Sequence, residues 1–185
     1  MPPLSVPPAP ALRSVVKMEG AQSPLSRDEL NDLMDYGNER MNSSACSLDP
    51  FRREVRVSAL TDEQVLLMTS CEAGAYNTIW LAWLVSRQRP YIAHPVRLTL
   101  PFQPPGDAPR DVELVNASYD DRHQELVTLD KGRAPGDCGI QTRWRYDGQR
   151  FSLVRYAQQP QCDNWQGPDA WPTLWVTRSV AHPLR

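Results

Sequence analysis

The amino-acid sequence predicts a mainly β (α+β) fold, with antiparallel β-meanders that form a sheet or a sandwich and one N-terminal amphipathic helix. Three observations support this class. From residue 54 onward, short runs of β-branched and aromatic residues alternate with period two between turn residues. One earlier segment has helical periodicity instead. The apolar fraction of 41% in 185 residues is sufficient for the core of a single domain.

The helix is predicted over residues 27–41. Ser26 can act as its N-cap with Glu29 three residues later, which is the pattern of a capping box. Four apolar residues recur within it at helical spacing: Leu30, Leu33, Met34 and Met41. Because glycine is a poor helix former, we expect the helix to loosen at Gly37.

A first β unit is predicted over residues 52–100. Its strands are expected at 54–60, 65–71, 78–86 and 96–100, with a glycine-containing loop at 72–77. The strand at 78–86 is rich in aromatic and β-branched residues, so we expect both of its faces to be covered. Trp80 and Trp83 should lie on opposite faces of it, because side chains alternate along a strand.

A second β unit is predicted over residues 111–158 in the same order. Its strands are expected at 112–119, 125–129, 140–146 and 151–156. Asp-Gly at 147–148 is the pattern of a two-residue hairpin turn. Aligning Trp83 with Trp144 gives an offset of 61 residues between the units. An internal duplication and the general likeness of any two meanders explain this offset equally well.

The domain boundaries follow from proline content. Residues 1–24 form an extended proline-rich leading segment without the basic start and apolar core of a signal peptide. Residues 25–178 form a single β-rich domain that ends in a tryptophan-rich tail at 160–178, and a C-terminal tail follows at 179–185. The net charge of −2 argues against nucleic acid as a partner. No apolar run approaches the roughly 18 residues of a membrane-spanning helix, so no transmembrane segment is expected.

Four cysteines, at positions 46, 71, 138 and 162, form no C-x-x-C pair, and the three histidines are scattered. We therefore predict no metal site and no cofactor. An even number of widely spaced cysteines indicates two disulfides in an oxidising compartment, the alternative being four buried thiols in a cytosolic protein. Of the three connectivities, we favour Cys46–Cys71 with Cys138–Cys162, because each pair brackets one predicted hairpin.

Three segments carry a family resemblance: CEAGAYNTIWLAWLV at 71–85, KGRAPGDCG at 131–139 with the following DGQRFSL, and CDNWQGPDAWPTLWVTR at 162–178. They resemble the C-terminal half of the bacterial domain of unknown function family 1176 (DUF 1176). The resemblance implies an exported proteobacterial protein, periplasmic or secreted, without an established activity. It also implies that this chain is part of a longer protein that has a signal peptide and a further N-terminal region.

The candidate binding residues lie in the two glycine-containing loops and the tail: Tyr76, Asn77, Lys131, Arg133, Asp137, Trp165 and Trp171. The loop at 131–139 could offer backbone N–H groups and two cations to an anion, or its charges could be solvated or paired. The Tyr-Asn pair at 76–77 could line a pocket or form a turn. The tail tryptophans could stack on a ligand or pack internally.

Gly-Asp-Cys-Gly at 136–139 resembles the turn that presents the nucleophile of chymotrypsin-like cysteine proteases. A Cys138 nucleophile would need a histidine base, and His94 precedes it by only 44 residues, so we assign no catalytic residue. The leading hypothesis is a non-enzymatic module that binds an envelope protein, a peptide or a glycan through loops at one end of a β-sheet. The alternatives are a hydrolase that uses Cys138 and a purely structural half of a longer protein.

Overall fold

The computed structural model describes residues 14–16, 20–163 and 165–180, with side chains from residue 20 to 163 and from 165 to 177. The helix α1 is Arg27–Asn42. The first seven strands are β1 Ser14–Val16, β2 Val55–Ala59, β3 Gln64–Ala73, β4 Thr78–Ser86, β5 Ala93–Pro95, β6 Leu98–Thr99 and β7 Asp111–Val112. The others are β8 Leu114–Val115, β9 Ser118–Asp120, β10 Glu125–Lys131, β11 Gly139–Tyr146, β12 Phe151–Gln159, β13 Thr173–Val176 and β14 Arg178–Val180. Most of the predicted leading segment and the end of the predicted C-terminal tail lie outside the described residues.

The strands form two five-stranded antiparallel sheets, as the alternating sequence predicted. The first sheet has the order β2-β3-β4-β5, and β8 also pairs with β4. The second sheet has the order β13-β12-β11-β10-β9. Two small pairs complete the described part of the fold: β6 with β7, and β1 with β14, the latter parallel.

The two sheets face each other across one apolar core, so the fold is a β-sandwich. The first sheet contributes Leu66, Met68 and Trp80 to this core. The second sheet contributes Leu126 and Trp144, both 0% exposed. Burial of such large apolar side chains is the main force that holds the two sheets together.

Helix α1 covers the outer face of the first sheet. Leu33, which is 0% exposed, packs with Val65, Leu67 and Trp83. Strand β4 is therefore covered on both faces, with Trp80 between the sheets and Trp83 under the helix, as predicted. Trp144 lies between the two sheets, whereas Trp83 lies under the helix. Aligning the two predicted β units on these tryptophans therefore matches residues from different layers of the fold.

The start of α1 has the predicted capping box. The Ser26 Oγ atom accepts a hydrogen bond from the backbone N–H of Glu29 at 3.1 Å, and the Ser26 N–H donates to the Glu29 carboxylate at 2.8 Å. The expected loosening at Gly37 was wrong, because α1 continues without interruption to Asn42. A Cβ atom at Gly37 would lie 2.5 Å from a methyl group of Val55, so this glycine allows the helix to approach β2 closely.

Arg87, just after β4, joins the helix to the sheet. Its side chain is 6% exposed, and its guanidinium donates to Glu29 Oε1 at 3.0 Å and to the carbonyl oxygens of Ser23 and Pro24 at 2.7 and 2.8 Å. The hydrogen bond from Arg87 lowers the pKa of the Glu29 carboxyl to about 2, with help from the Ser26 N–H. The cap of the helix is thus also its anchor to the sheet.

Of the predicted strands, one is divided into three shorter strands and another is shortened. The predicted strand at 112–119 forms β7, β8 and β9, which pair with β6, β4 and β10 respectively, so this segment crosses from one sheet to the other. Asn116 breaks it with a φ of 45°, in the left-handed region that asparagine tolerates. The predicted strand at 96–100 is reduced to β6, while β5 before it pairs with β4.

The predicted hairpin between β11 and β12 is confirmed, but its loop at 147–150 is longer than the two-residue turn that the Asp-Gly pattern favours. Tyr146 pairs directly with Phe151. The Asp147 Oδ1 atom accepts hydrogen bonds from the N–H groups of Gln149 and Arg150, both at 2.9 Å. This side-chain bonding closes a longer loop than the Asp-Gly pattern favours.

Candidate functional site

All four cysteines are paired in the favoured connectivity, Cys46–Cys71 and Cys138–Cys162. Each disulfide lies next to one of the two glycine-containing loops, since Cys71 is in β3 and Cys138 immediately precedes β11. The Cys138 sulfur is bonded to Cys162 and is therefore not a thiolate nucleophile in this structure. Cys138 is 1% exposed, whereas Cys162 is exposed.

The loop between β3 and β4 contacts the loop between β10 and β11. The Asn77 side-chain amide donates to Asp130 Oδ1 and to the carbonyl oxygen of Lys131, both at 3.0 Å, and its oxygen accepts from the Lys131 N–H at 3.2 Å. The Tyr76 hydroxyl donates to the carbonyl oxygen of Gly132 at 3.2 Å. Asn77 therefore bonds across to the second sheet and joins the two sheets at one end of the sandwich.

Asn116 completes this junction. Its side-chain amide donates to Asn77 Oδ1 at 2.7 Å and to the carbonyl oxygen of Leu129 at 2.8 Å, while its oxygen accepts from the Thr78 N–H at 3.0 Å. Asn116 was not among the predicted binding residues. A lone asparagine in a run of β-formers was the only signal for it, and that signal indicates a break in the strand but no binding partner.

The charges of the second loop are largely paired with one another. The Arg133 Nε atom donates to Asp137 Oδ1 at 2.8 Å, and Arg133 also bonds Asp137 Oδ2 and the carbonyl oxygen of Cys162 through Nη2. The hydrogen bond from Arg133 lowers the pKa of Asp137. Among the described residues, the Lys131 ammonium has no ion-pair partner. Lys131 is therefore the available cation of this loop.

The two tail tryptophans differ in exposure. Trp165 is 100% exposed, whereas Trp171 is 2% exposed and donates its Nε1–H to the carbonyl oxygen of Gln166 at 3.2 Å. Arg155 fixes this part of the tail against the second sheet by donating to the carbonyl oxygens of Trp171 and Pro168, at 3.0 and 3.3 Å. Trp171 thus packs inside the protein, and Trp165 is presented to solvent.

Two cavities lie near the loops. The smaller, of about 190 Å³, adjoins the Cys138–Cys162 disulfide and is below the usual size of a small-molecule site. The larger, of about 550 Å³, adjoins the junction, since Asn116 and Thr78 are among its lining residues. We call the larger one the arginine pocket, because three arginines line it: Arg52, Arg53 and Arg56. None of its lining residues was among the predicted binding residues.

Over residues 20–163 and 165–177, no group of three or more His, Cys, Asp or Glu side chains is placed to hold a metal ion. In the described part of the chain, no helix has the length and apolar character needed to cross a bilayer.

Comparison with known proteins identifies the family. The sequence matches the family described as "Protein of unknown function (DUF1176)" over residues 1–178, which extends the resemblance noted above to the proline-rich leading segment. A relative from Escherichia coli (strain K12), "Uncharacterized protein YpfG", is 64% identical over 177 residues. The match covers 96% of this chain and 51% of the relative, so the chain spans about half of that protein's length. No solved structure matches the chain significantly. The chain belongs to the DUF1176 family.

Proposed function

We propose that this part of the chain is a non-catalytic binding module for an envelope protein, a peptide or a glycan. Its contact surface would be the loop site, which we define as Tyr76, Lys131 and Trp165. The observation that carries the proposal is the junction at Asn77, because it brings the two glycine-containing loops together at one end of the sandwich. Loops held by a rigid scaffold are the usual location of binding residues.

The loop site has the chemistry of an adaptable contact surface. Tyr76 is 40% exposed, and Trp165 is 100% exposed. Trp165 follows Cys162 by three residues, so at most about 11 Å of chain separates it from the disulfide that closes the second loop. Exposed aromatic rings with a nearby cation are typical of surfaces that bind peptides and sugars. The other predicted residues would hold this surface from beneath: Asn77, Arg133, Asp137 and Trp171.

We also propose that the module works in an oxidising compartment, the periplasm or the extracellular space. Two disulfides that account for every cysteine support this location, because such bonds rarely persist in a bacterial cytosol. The two alternatives are less well supported. A hydrolase with a Cys138 nucleophile needs a free thiol at a sulfur that is bonded to Cys162. A purely structural role leaves the exposure of Trp165 without a reason.

The test compares wild-type protein with the Tyr76→Ala and Lys131→Ala variants on arrays of peptides and of soluble envelope-glycan fragments. Wild type should bind a defined subset, and both variants should lose that binding while keeping the wild-type melting temperature. Arg150→Ala is the matched control, because Arg150 is exposed on the β11–β12 hairpin at the opposite end of the sandwich. Binding that survives both loop substitutions would place the contact surface elsewhere.

A thiol titration in denaturant without reductant separates the proposal from the cysteine hydrolase. Zero free thiols are expected, since all four cysteines are paired. One reactive thiol at Cys138 would favour the hydrolase instead.

A further inference from the structure

The arginine pocket is a concave site with its own set of residues, and it adjoins the loop site through Asn116. It opens between the first sheet and the crossing segment at 116–118, and its volume of about 550 Å³ is within the range of small-molecule sites. Its walls come from the turn after α1, from β2, β3 and β4, and from the crossing segment. No residue of the loop site lines it.

The three arginines of the pocket differ in their partners. Arg53 is part of the framework, since it donates to the carbonyl oxygens of Leu48 and Cys46. Arg56 lies over the Trp80 ring at 4.2 Å, pairs with the Glu54 carboxylate through Nη2 at 2.8 Å and donates to the Ala117 carbonyl oxygen through Nη1 at 3.4 Å. Arg52 is exposed, and its side chain has no hydrogen-bond or ion-pair partner among the described residues, while its backbone N–H donates to the Asp49 carbonyl oxygen at 2.9 Å. Glu54 is the single carboxylate among the lining residues, so the pocket carries a net positive charge.

Arg56 is held in place while its charge stays accessible. Stacking on the indole of Trp80 fixes the plane of the guanidinium, and Trp80 itself is 4% exposed in the core between the sheets. The side chain of Arg56 is 44% exposed. The N–H groups of this guanidinium that do not bond Glu54 or Ala117 can donate to a carboxylate or phosphate group of a ligand.

Phe51 is presented at the rim of the pocket by a rigid turn. Its side chain is 100% exposed, an unfavourable position for a large apolar ring in a free protein. The turn Pro50–Arg52 is capped by Asp49, whose carboxylate accepts from the Phe51 N–H at 3.0 Å. The Cys46–Cys71 disulfide and the hydrogen bond from the Leu48 N–H to the Cys71 carbonyl at 2.9 Å tie this turn to β3. The backbone that carries the ring is therefore fixed at the rim of the pocket.

Hydroxyl groups make up much of the remaining lining: Ser70, Thr78 and Ser118. The Ser70 Oγ atom accepts from the Glu54 N–H at 2.7 Å, which leaves its proton free to donate. Hydroxyl donors suit a polyhydroxylated ligand, an aromatic rim suits a sugar ring, and two accessible guanidiniums suit an acidic group. We propose that the arginine pocket binds an acidic sugar, with its carboxylate or phosphate on Arg52 and Arg56 and its ring against Phe51.

The test measures binding by isothermal titration calorimetry and by chemical-shift changes in the full chain, with glucuronate, glucose 6-phosphate and glucose as probes. Both acidic sugars should bind and shift the backbone amides around Arg52 and Arg56, while glucose should bind at least about tenfold more weakly. The relative affinities of glucuronate and glucose 6-phosphate distinguish a carboxylate ligand from a phosphate ligand.

Two variants locate the anion, and one acts as the control. Arg52→Gln and Arg56→Gln should each weaken glucuronate binding about tenfold or more, the usual effect of losing one charge-assisted hydrogen bond. Arg150→Gln removes an equal charge from an exposed arginine at the opposite end of the sandwich and should leave binding unchanged. The Arg52 side chain is exposed and has no partner among the described residues. Arg52→Gln should therefore fold normally even if Arg56→Gln does not.

The Glu54→Gln variant distinguishes a ligand-binding role of Arg56 from a merely structural one. Removing the competing carboxylate should tighten the binding of glucuronate without affecting glucose. Equal binding of glucose and glucuronate, equal loss in Arg150→Gln, or no binding of either acidic sugar at 10 mM (roughly 3 kcal/mol of binding free energy) would overturn the proposal. Stronger binding of a short carboxylate-bearing peptide would also overturn it. Retained glucuronate binding in the Tyr76→Ala variant would separate this site from the loop site.

Discussion

The β3–β4 loop and the β10–β11 loop occupy equivalent places in the two sheets, yet they are built differently. The first is a short turn at 74–77, closed by one backbone hydrogen bond from Gly74 to Asn77 at 2.7 Å. The second is closed by a disulfide, by the Arg133–Asp137 ion pair and by a backbone bond from Gly132 to Cys138 at 3.0 Å. The second loop is thus rigid on its own, while the first obtains its position by bonding to the second through Asn77.

This difference shows that a glycine-rich loop with several charges need not be the better ligand site. In the second loop, Arg133 and Asp137 pair with each other and hold the loop together, so their charges are not available to a ligand. The arginine pocket, which Ala73 and Thr78 at the two ends of the first loop help to line, has one arginine side chain without a described partner, that of Arg52. Three predictions test how far the two loops differ.

The largest effects should come from removing the disulfides. Replacing both cysteines of either pair by serine should lower the free energy of unfolding by about 3.5 kcal/mol, because the bridges close chain loops of nearly equal length, with separations of 25 and 24 residues. The Cys138–Cys162 bond should be reduced first, since Cys162 is exposed whereas Cys46, the more accessible cysteine of the other pair, is half-buried. Chemical denaturation measures the first effect, and mass spectrometry after mild reduction and alkylation measures the second. Reduction of Cys46–Cys71 before Cys138–Cys162 would contradict this prediction.

The next largest effect should be that of a methyl group at Gly139. This residue has a φ of +139°, and a Cβ atom there would lie 2.0 Å from the carbonyl oxygen of Asp130. Gly139→Ala should therefore cost about 3 kcal/mol of stability by forcing β10 and β11 apart. Gly74→Ala is the matched control in the first loop, because its Cβ would come no closer than 3.4 Å to another atom, and it should change stability by less than about 0.5 kcal/mol. Equal losses in thermal unfolding would remove the distinction between the loops.

The smallest effect should be a response to acid that is confined to the second loop. The pKa of Asp137 is lowered by Arg133, so the pair stabilises the loop above the ordinary aspartate pKa of 3.8 and is lost as the pH falls through the lowered value. A carbon-detected NMR titration should place the Asp137 midpoint below 3.8 and return it toward that value in Arg133→Gln. The first loop contains no carboxylate and serves as the internal control. An ordinary midpoint in wild type would mean that the pair does not form in solution.

Much of the fold was predictable because its signals are local. The capping box at Ser26, the alternation of β-formers and the pairing of each cysteine with the nearest one in the chain depend on short stretches of sequence. Asn116 shows where local reasoning fails, since a positive φ in a run of β-formers divides the predicted strand and turns the chain toward the other sheet. The four-residue hairpin loop depends on hydrogen bonds that the Asp147 carboxylate accepts from the N–H groups of Gln149 and Arg150, and the Asp-Gly pattern does not predict these bonds.

The candidate sites were predictable only in part. The residues of the two loops were detectable because glycine, charge and aromatic residues occur together in short segments. Their junction was not, since Asn77 and Lys131 are 54 residues apart and meet only when the sheets pack. The arginine pocket was not predictable either, because its lining residues also come from distant parts of the sequence. Arg56 reaches Trp80 through the pairing of β2 and β4 with β3, and no sequence pattern records that register.

The bonds of Arg87 have a consequence for how the protein unfolds. Detaching α1 would leave a guanidinium with 6% exposure without its carboxylate and carbonyl partners, and it would also uncover Leu33. Fraying of the helix start is therefore tied to rupture of the sheet beneath it. We therefore expect the helix and the first sheet to unfold as one cooperative unit, with the amide protons of α1 exchanging with solvent mainly when that whole unit opens.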